Sequence, residues 1–294
     1  MDIAKATYPY KIVENREILA DVYVARDDRS CPTIVWIHGG ALIGGHRENI
    51  SDRQRDRYLE AGYTVVSIDY RLAPETKLPA IIQDLQDAFR WVGEKGAELF
   101  NADPTRIAVI GHSAGGYLTL MSGSCVEPRP KALVSFYGYG DIVGSWYSRP
   151  DSFYRQQPLV TEEEAYRAVG QPGISGTPGR NERWRFYLYC RQQGLWPKEV
   201  AGYDPQTEPD AFRPYCPVQN VTADYPPTLL LHGDRDTDVP YELSVMMAGA
   251  LAQAGVEHEL ITIPNGGHGF DGSDHPAAAD AFERVLAFLD AHLR

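Results

Sequence analysis

The sequence predicts an α/β fold: a mostly parallel eight-stranded sheet with helices on both faces. Six short runs are apolar at nearly every position, as is typical of parallel strands buried on both faces. Helical patterns lie between them, which is the alternation expected of a layered α/β domain. Before them, the runs 11–13 and 17–25 are separated by only three residues, which predicts an antiparallel opening hairpin.

The predicted elements follow one another in a regular order along the chain. The apolar runs that predict buried strands are 33–37, 64–68, 106–110, 132–136, 228–231 and 259–263. The helical patterns occupy about 48–61, 79–99, 114–123, 241–254 and 276–293. Such a succession makes right-handed crossovers, and ligands then bind outside the carboxyl ends of the strands. Candidate functional residues are therefore expected in the loops that follow strands.

Composition and charge exclude several classes of function. A hydrophobic share of 43% with 23% charged residues is ordinary for a globular chain that buries a large core. The formal net charge of -12 argues against a nucleic-acid partner, because such binding rests on clustered Lys and Arg. The first ten residues lack the apolar segment of a signal peptide, and no later run reaches the length of a membrane span. We therefore expect a cytoplasmic protein.

The strongest motif is the GxSxG sequence at 111–115, centred on Ser113. It ends one strand pattern and begins a helix pattern, which is the context that the nucleophile motif requires. So tight a turn strains the backbone of its central residue, so small residues are needed at Gly111 and Gly115. The sequence predicts that Ser113 is a catalytic nucleophile at the positive end of a helix.

A glycine-rich loop, 38–41, follows the strand that ends at residue 37. Its backbone N–H groups can face a pocket where negative charge develops on a carbonyl oxygen during acyl transfer. Each such donor contributes about 3 to 4 kcal/mol. We assign the amides of Gly40, Ala41 and Ala114 to an oxyanion hole. His38 and Gly39 are expected to organise the loop.

Two further loops supply an acid and a base. The loop after the strand at 228–231 contains three carboxylates, Asp234, Asp236 and Asp238. Arg235 within the cluster and the absence of a calcium-loop glycine disfavour a metal site, so one carboxylate is expected to orient a histidine. His268 follows the last strand between glycines and is the candidate general base. The chain order serine, acid, histidine is that of the α/β-hydrolases.

Five segments together resemble the hormone-sensitive-lipase-like branch of the α/β-hydrolase superfamily. They are 38–41, 69–75, 111–116, 232–239 and 267–270. Matching the family's HGxxDxxV pattern to 232–239 assigns the triad acid to Asp236. The resemblance implies the α/β-hydrolase fold and a serine hydrolase that needs no cofactor or metal. Such enzymes are most often carboxylesterases for short to medium acyl chains.

The sequence departs from that branch in two respects. Ala41 replaces a glycine and His112 replaces an aspartate, and His112 is similar to the form in smaller relatives, which include kynurenine formamidases and some carbohydrate and feruloyl esterases. Only 37 residues precede His38, which leaves no room for the usual N-terminal helical cap. Asp69 and Arg71, in the 69–75 segment, are expected to form a structural polar pair.

The cap is expected from residues 139–215, inserted into a core formed by 1–138 and 216–294. This segment holds 14 of the chain's 32 aromatic residues. Aromatic side chains there could cover Ser113 and contact a substrate, or could supply the core of a small lobe with few aliphatic residues. A glycine- and proline-rich stretch, 170–179, is expected to link two cap helices.

The leading hypothesis is a carboxylesterase-type serine hydrolase that acts on a small-molecule ester through an acyl-enzyme on Ser113. An amidase or formamidase with the same triad is an alternative, and so is acyl transfer to an alcohol. A hypothesis of another class is a catalytically inactive binding protein that keeps the hydrolase fold. Dimers are common among the relatives, so a homodimer is also considered.

Overall fold

Eight strands form a single, mostly parallel sheet in the computed structural model, which describes residues 3–25, 30–170 and 182–294. The strands are β1 (Ile3–Val13), β2 (Arg16–Ala25), β3 (Cys31–Ile37), β4 (Thr64–Ile68), β5 (Ala102–His112), β6 (Ala132–Phe136), β7 (Thr228–Gly233) and β8 (His258–Ile263). Their order across the sheet is β1-β2-β4-β3-β5-β6-β7-β8. The β1–β2 and β2–β4 pairs are antiparallel and the remaining pairs are parallel.

Helices cover both faces of the sheet. They are α1 (Asp52–Glu60), α2 (Leu78–Phe100), α3 (Ala114–Cys125), α4 (Ser145–Ser148), α5 (Glu162–Arg167), α6 (Arg183–Gln193), α7 (Trp196–Ala201), α8 (Glu242–Gln253) and α9 (Pro276–Leu293). One hydrophobic cluster packs α2, α3 and α8 against one face. A second packs α1 and α9 against the other. The predicted fold class is confirmed.

Two element boundaries differ from the sequence prediction. The helix expected at 48–61 begins only at Asp52, because Ser51 is extended and its hydroxyl accepts the amide of Gln54 at 3.2 Å, which caps the helix. A separate 3-10 turn spans Arg47–Asn49. The first strand begins at Ile3 rather than 11, since most of this edge strand is partly or fully exposed and carries little apolar periodicity.

The segment predicted to form a cap is inserted between β6 and β7. Seven of its aromatic side chains are buried: Tyr139, Tyr147, Tyr154, Phe186, Tyr187, Trp196 and Phe212. All seven belong to the hydrophobic cluster that also contains α2 and α3 of the core. Half of the 14 aromatic side chains of the insertion therefore belong to a hydrophobic core that is continuous with the core of the sheet domain. The division into core and cap at 139 and 215 stays a prediction. All of the expected link at 170–179 except residue 170 lies outside the described residues.

No helix within residues 3–25, 30–170 and 182–294 combines the length and the apolar composition that crossing a bilayer requires.

Candidate active site

Ser113 lies at the sharp turn between β5 and α3. Its backbone has φ 56° and ψ -118°, a conformation that few non-glycine residues adopt. A Cβ at Gly111 would come 2.1 Å from the carbonyl oxygen of Gly115, and one at Gly115 would come 2.1 Å from that of Ile37. Glycine is therefore required on both sides of the serine, as the motif predicts. The turn presents Ser113 at the carboxyl end of β5.

The loop after β3 is wound into a tight turn. Gly40 has φ 110°, and the non-glycine residues Ala41 and Leu42 have φ 56° and 60°. The Gly40 carbonyl accepts the amide of Ile43 at 2.9 Å and that of Gly44 at 2.8 Å. Within residues 3–25, 30–170 and 182–294, the amides of Gly40, Ala41 and Ala114 donate no hydrogen bond. The assignment of these amides to an oxyanion hole stays a prediction.

His38 is buried beneath this loop. Its ring stacks on Tyr70 with a centroid separation of 4.2 Å, and its Nδ1 lies 2.7 Å from the Gly39 carbonyl oxygen. The Tyr70 hydroxyl donates to the His38 carbonyl at 3.1 Å. These contacts suit the organising role expected of His38 and Gly39.

The insertion holds the same loop from the other side. The Trp196 indole donates to the Ala41 carbonyl at 2.9 Å, and Arg183 Nε donates to the Ile43 carbonyl at 2.6 Å. Arg183 also forms a two-point ion pair with Glu75 at 2.8 and 2.7 Å. Trp196 is one of the aromatic residues of the predicted cap, but its contact with this loop was not anticipated. Nothing in the sequence pointed to Arg183.

The acid loop and the last loop meet at the carboxyl ends of β7 and β8. Asp236 Oδ2 lies 2.8 Å from His268 Nδ1, while its Oδ1 accepts the amides of Asp238 and Val239 at 2.8 and 2.9 Å. Asp234 instead accepts the amide of Asn265 at 2.6 Å. The structure therefore pairs Asp236, and not Asp234, with the histidine.

Two opposed pKa shifts mark this pair. Burial alone would raise the pKa of Asp236, but hydrogen bonds from His232 and His268 and the charge of His268 hold it well below its usual range. Burial alone would lower the pKa of His268, but the hydrogen bond to Asp236 and the charges of Asp238 and Asp236 raise it. The pair thus favours a carboxylate beside an imidazole that readily accepts a proton.

His268 does not form a hydrogen bond with Ser113 in the part of the chain that the structure describes. Catalytic hydrogen bonds are often long in unliganded enzymes and tighten when substrate binds. The neighbour of His268 Nε2 in the structure is Asp238 Oδ2, at 3.5 Å.

A second histidine–carboxylate cluster adjoins the site and was not anticipated. Asp271 Oδ2 accepts the Gln54 amide at 2.7 Å and lies 3.2 Å from His112 Nε2, and its Oδ1 accepts the Tyr137 hydroxyl at 2.7 Å. Burial would raise the pKa of Asp271, but the charge and hydrogen bond of His112 hold it at about 2. Asp271 lies three positions after His268, and no motif in the sequence marked it as a candidate site residue.

The expected Asp69–Arg71 pair is wrong. Asp69 accepts from Arg47 Nη1 at 2.7 Å and from the Arg47 amide at 2.8 Å. Arg71 instead makes a two-point contact with Asp84 at 2.8 and 2.7 Å. Both acids have arginine partners, because long-range packing, and not closeness in sequence, brings each charge to its counterpart.

Two cavities flank the loop 38–45 that follows β3. We call it the oxyanion loop because it carries the amides of Gly40 and Ala41 that are assigned to an oxyanion hole. One of 470 Å³ is lined by that loop, Arg183, Trp184 and Tyr187. The other, of 380 Å³, is lined by Gly39 and Gly40 together with the polar side chains of Asn49, Ser51, Gln54, His112, Tyr137 and Asp271. Their shared boundary is formed by Gly40, Gly45 and Asn49. No group of three or more His, Cys, Asp or Glu side chains in the described ranges is arranged to hold a metal ion.

Two family models match parts of the chain. The BD-FAE model matches residues 20–148, and the model of the prolyl oligopeptidase family matches residues 181–294. The first match contains the Ser113 motif and the second contains both Asp236 and His268.

Curated relatives match most of this chain but extend well beyond it. A non-reducing polyketide synthase, Preu6 of Preussia isomera, is 27% identical over 97% of this chain and 14% of its own length. Esterase LipC of Mycobacterium tuberculosis is 28% identical over 92% of this chain and 62% of its own length. The chain thus spans about one seventh of the first relative and about three fifths of the second.

Solved structures share the fold over nearly the whole chain. A protein of unknown function from Staphylococcus aureus Mu50 superposes with a TM-score of 0.79 at 22% identity, covering 98% of this chain and all of that one. An acetyl ester-xyloside bifunctional hydrolase from Caldicellulosiruptor lactoaceticus superposes with a TM-score of 0.70 at 22% identity, covering 97% and 96%. With the sheet order and the nucleophile turn, these likenesses show that the chain has the α/β-hydrolase fold. In sequence it is similar to Esterase LipC over part of the length of that protein.

Proposed function

We propose that the protein hydrolyses carboxylic esters through an acyl-enzyme on Ser113. The observation that carries this proposal is the 2.8 Å contact between His268 Nδ1 and the buried Asp236, at the same edge of the sheet as the strained Ser113 turn. A base oriented by an acid, in a loop at the same sheet edge as a partly exposed serine, is the arrangement that activates a serine. The sequence similarity to Esterase LipC supports the reaction class.

In the first half-reaction, His268 Nε2 takes the proton of Ser113 while the serine oxygen attacks the ester carbonyl carbon. The negative charge on the former carbonyl oxygen is held by the amides of Gly40, Ala41 and Ala114. The tetrahedral intermediate then collapses, and His268 returns the proton to the departing alcohol. The acyl group is left on Ser113.

The second half-reaction repeats these steps with water. His268 removes a proton from water, whose oxygen attacks the acyl carbon, and the same amides hold the oxyanion. Collapse releases the acid and returns the proton to Ser113. Throughout, Asp236 fixes the tautomer with Nδ1 protonated and stabilises the imidazolium without taking its proton.

The cavity that contains Asp271 favours an ester with a hydroxylated alcohol portion. Its amide, hydroxyl and carboxylate groups can donate to and accept from several hydroxyls at once. The cavity beside Trp184 is bounded by an aromatic ring and by Ile43 and is suited to the acyl portion. A structurally similar protein is described as an acetyl ester-xyloside hydrolase, which agrees with a carbohydrate ester as substrate.

The proposal is tested with a panel of substrates on the purified protein. The panel contains p-nitrophenyl esters from acetate to laurate, acetylated xylo-oligosaccharide, methyl ferulate and N-formylkynurenine. Ser113→Ala and His268→Ala are each expected to lower turnover by about 10^4 to 10^6, with an unchanged circular dichroism spectrum. A serine-directed fluorophosphonate should label the wild type and not Ser113→Ala.

The panel also separates the alternatives. Turnover highest on N-formylkynurenine would favour the formamidase alternative. Wild-type protein that is inert on every substrate and takes no fluorophosphonate label would overturn the hydrolase proposal in favour of a binding function.

A further inference from the structure

Asp238 is a charged residue beside His268 to which the mechanism above gives no role. Its Oδ2 lies 3.5 Å from His268 Nε2, the nitrogen that exchanges protons with Ser113. This separation is longer than a usual charge-assisted hydrogen bond, in which nitrogen and oxygen lie about 2.7 to 2.9 Å apart. Asp238 therefore faces the reactive nitrogen as a nearby charge and not as a tight hydrogen-bond partner.

The other oxygen of Asp238 is held entirely by the insertion. Arg191 Nη1 donates to Oδ1 at 2.6 Å, the Tyr187 hydroxyl at 2.5 Å and the Tyr154 hydroxyl at 2.9 Å. With three donors on one oxygen, the carboxylate is fixed in orientation and its remaining oxygen is directed toward His268.

Arg191 is itself rigidly held. Only 1% of its side chain is exposed, and its Nη2 pairs with Asp151 at 2.7 Å. Its guanidinium lies over the rings of Tyr154 and Tyr147, 4.7 and 4.9 Å from their centroids. A buried cation with this many partners keeps a fixed geometry. The network thus connects the interior of the insertion to the acid loop.

We infer that Asp238 is a positioning residue that stabilises the imidazolium form of His268 at its Nε2 side, and that the insertion sets this interaction through Arg191, Tyr154 and Tyr187. This inference rests on the proposed function. When His268 takes the proton of Ser113, the new positive charge lies between Asp236 at Nδ1 and Asp238 near Nε2. Two anions on opposite sides hold the ring in line and make it more basic.

Other groups also face His268 and must be counted. Asp236 contacts it at 2.8 Å, and the Tyr137 ring packs on it with a centroid separation of 4.6 Å. Asp271 acts at longer range, lies 3.2 Å from His112 Nε2 and accepts a hydrogen bond from the Tyr137 hydroxyl. Of these groups, Asp238 alone lies at the Nε2 side with an oxygen directed to the ring.

The test compares Asp238→Asn with Asp234→Asn. Both variants remove one negative charge from the same loop and keep the side-chain shape, but Asp234 contacts Asn265 and not His268. Two readouts are used: the acid limb of kcat/KM against pH, and the titration of His268 followed by NMR of protein labelled with ¹⁵N-histidine, assigned with His268→Gln. The second readout needs no activity.

For Asp238→Asn we expect the pKa of His268 and the acid limb to move to lower pH by about one unit, and kcat to fall about tenfold, since one unit corresponds to a factor of ten. Asp234→Asn should shift neither by more than about 0.2 unit. A purely structural role for Asp238 would lower the melting temperature and leave the limb in place, and that result would overturn the inference.

Tyr154→Phe provides a second check if Asp238→Asn does not fold, because it removes one of the three donors to Asp238 Oδ1 and keeps the charge of the carboxylate. The pKa of His268 in the NMR titration should then differ from that of the wild type, and an unchanged pKa would contradict the inference that the insertion sets this interaction. Failure of the ester-hydrolase proposal can be distinguished from failure of this inference. In the first case no substrate of the panel is turned over, while the difference in His268 pKa between wild type and Asp238→Asn, measured by NMR, still reports the contact.

Discussion

Two carboxylates in one loop meet different partners although they lie two positions apart. Asp236 is buried against His268, whereas Asp234 is exposed and accepts the amide of Asn265. The first fixes the tautomer of an imidazole and the second closes a loop. A carboxylate's role here is decided by which group it reaches.

Substitution of the two acids separates these roles. Asp236→Asn should lower kcat on p-nitrophenyl butyrate by about 10^4, because the amide favours the wrong tautomer of His268. Asp234→Asn should stay within about threefold of wild type, as expected of an exposed position whose side-chain oxygen is kept. Steady-state kinetics with circular dichroism as a folding control measure both. If kcat fell strongly in Asp234→Asn and stayed close to that of the wild type in Asp236→Asn, the assignment of Asp236 as the triad acid would be wrong.

The oxyanion loop offers a second matched pair. A Cβ at Gly40 would come 2.4 Å from the Gly44 carbonyl oxygen, so Gly40→Ala must displace the loop backbone. We expect kcat to fall at least about 100-fold, the loss seen when one oxyanion donor is removed. Ala41→Gly keeps the amide, and glycine adopts the positive φ without strain. Its kcat should stay within about threefold of wild type. Equal kcat values for both variants would contradict the assigned oxyanion hole.

At the scale of secondary-structure elements, the insertion contacts both loops that carry candidate catalytic groups. Through α7 and α6 it holds the oxyanion loop by Trp196 and Arg183, and through α6 it holds the acid loop by Arg191. The insertion is thus joined to the loops by buried and part-buried hydrogen bonds as well as by apolar packing. Its aromatic side chains and these polar contacts together fix the loop positions.

Trp196→Phe tests the contact with the oxyanion loop. The change keeps an aromatic ring but leaves the Ala41 carbonyl without its donor, so we expect the free energy of unfolding to fall by about 1 to 3 kcal/mol. The kcat/KM should fall about tenfold as the loop loses its fixed position. Urea unfolding and steady-state kinetics measure the two effects.

Trp91→Phe is the control for this change. Trp91 lies on α2 and packs on Tyr8 with a centroid separation of 5.9 Å, away from the catalytic loops. It should leave kcat/KM unchanged. If both substitutions lowered kcat/KM equally, the role of the indole contact at Ala41 would be excluded.

At the scale of the whole molecule, stability and activity should have different pH optima. Asp236 and Asp271 have lowered pKa values, the latter about 2, so each stabilises the protein above about pH 4 and loses this effect as the pH falls. For Asp271 the contribution is about 2 kcal/mol. His268 has a raised pKa, so it stabilises the protein below about pH 6.5 and loses this effect as the pH rises.

The expected result is a maximum of the unfolding free energy between about pH 4 and pH 6.5, with kcat/KM rising only above that interval as His268 becomes neutral. Urea unfolding measured from about pH 2 to pH 9, and kcat/KM measured from pH 4 to pH 9, give the two curves. An unfolding free energy that still increases between pH 7 and pH 9 would be incompatible with this assignment.

Much of the fold and part of the site could be predicted from local patterns. Buried parallel strands are apolar on both faces, so β3 to β7 appear as continuous runs, while the exposed edge strand β1 was recognised only near its end. Parallel topology brings the carboxyl ends of strands to one edge, which is why Ser113, Asp236 and His268 were expected in loops that meet. Residue spacing left three carboxylates open, and the family pattern favoured Asp236.

By itself, then, the sequence determined the order of strands and helices and the loops that carry the candidate triad, because these features depend on neighbours along the chain. Tertiary structure alone decided that Trp196 holds Ala41, that Arg191 holds Asp238 and that Asp69 pairs with Arg47. The first two contacts join residues 155 and 47 positions apart. A buried polar group takes whichever partner the packed chain brings within hydrogen-bond distance, and no local periodicity encodes that choice.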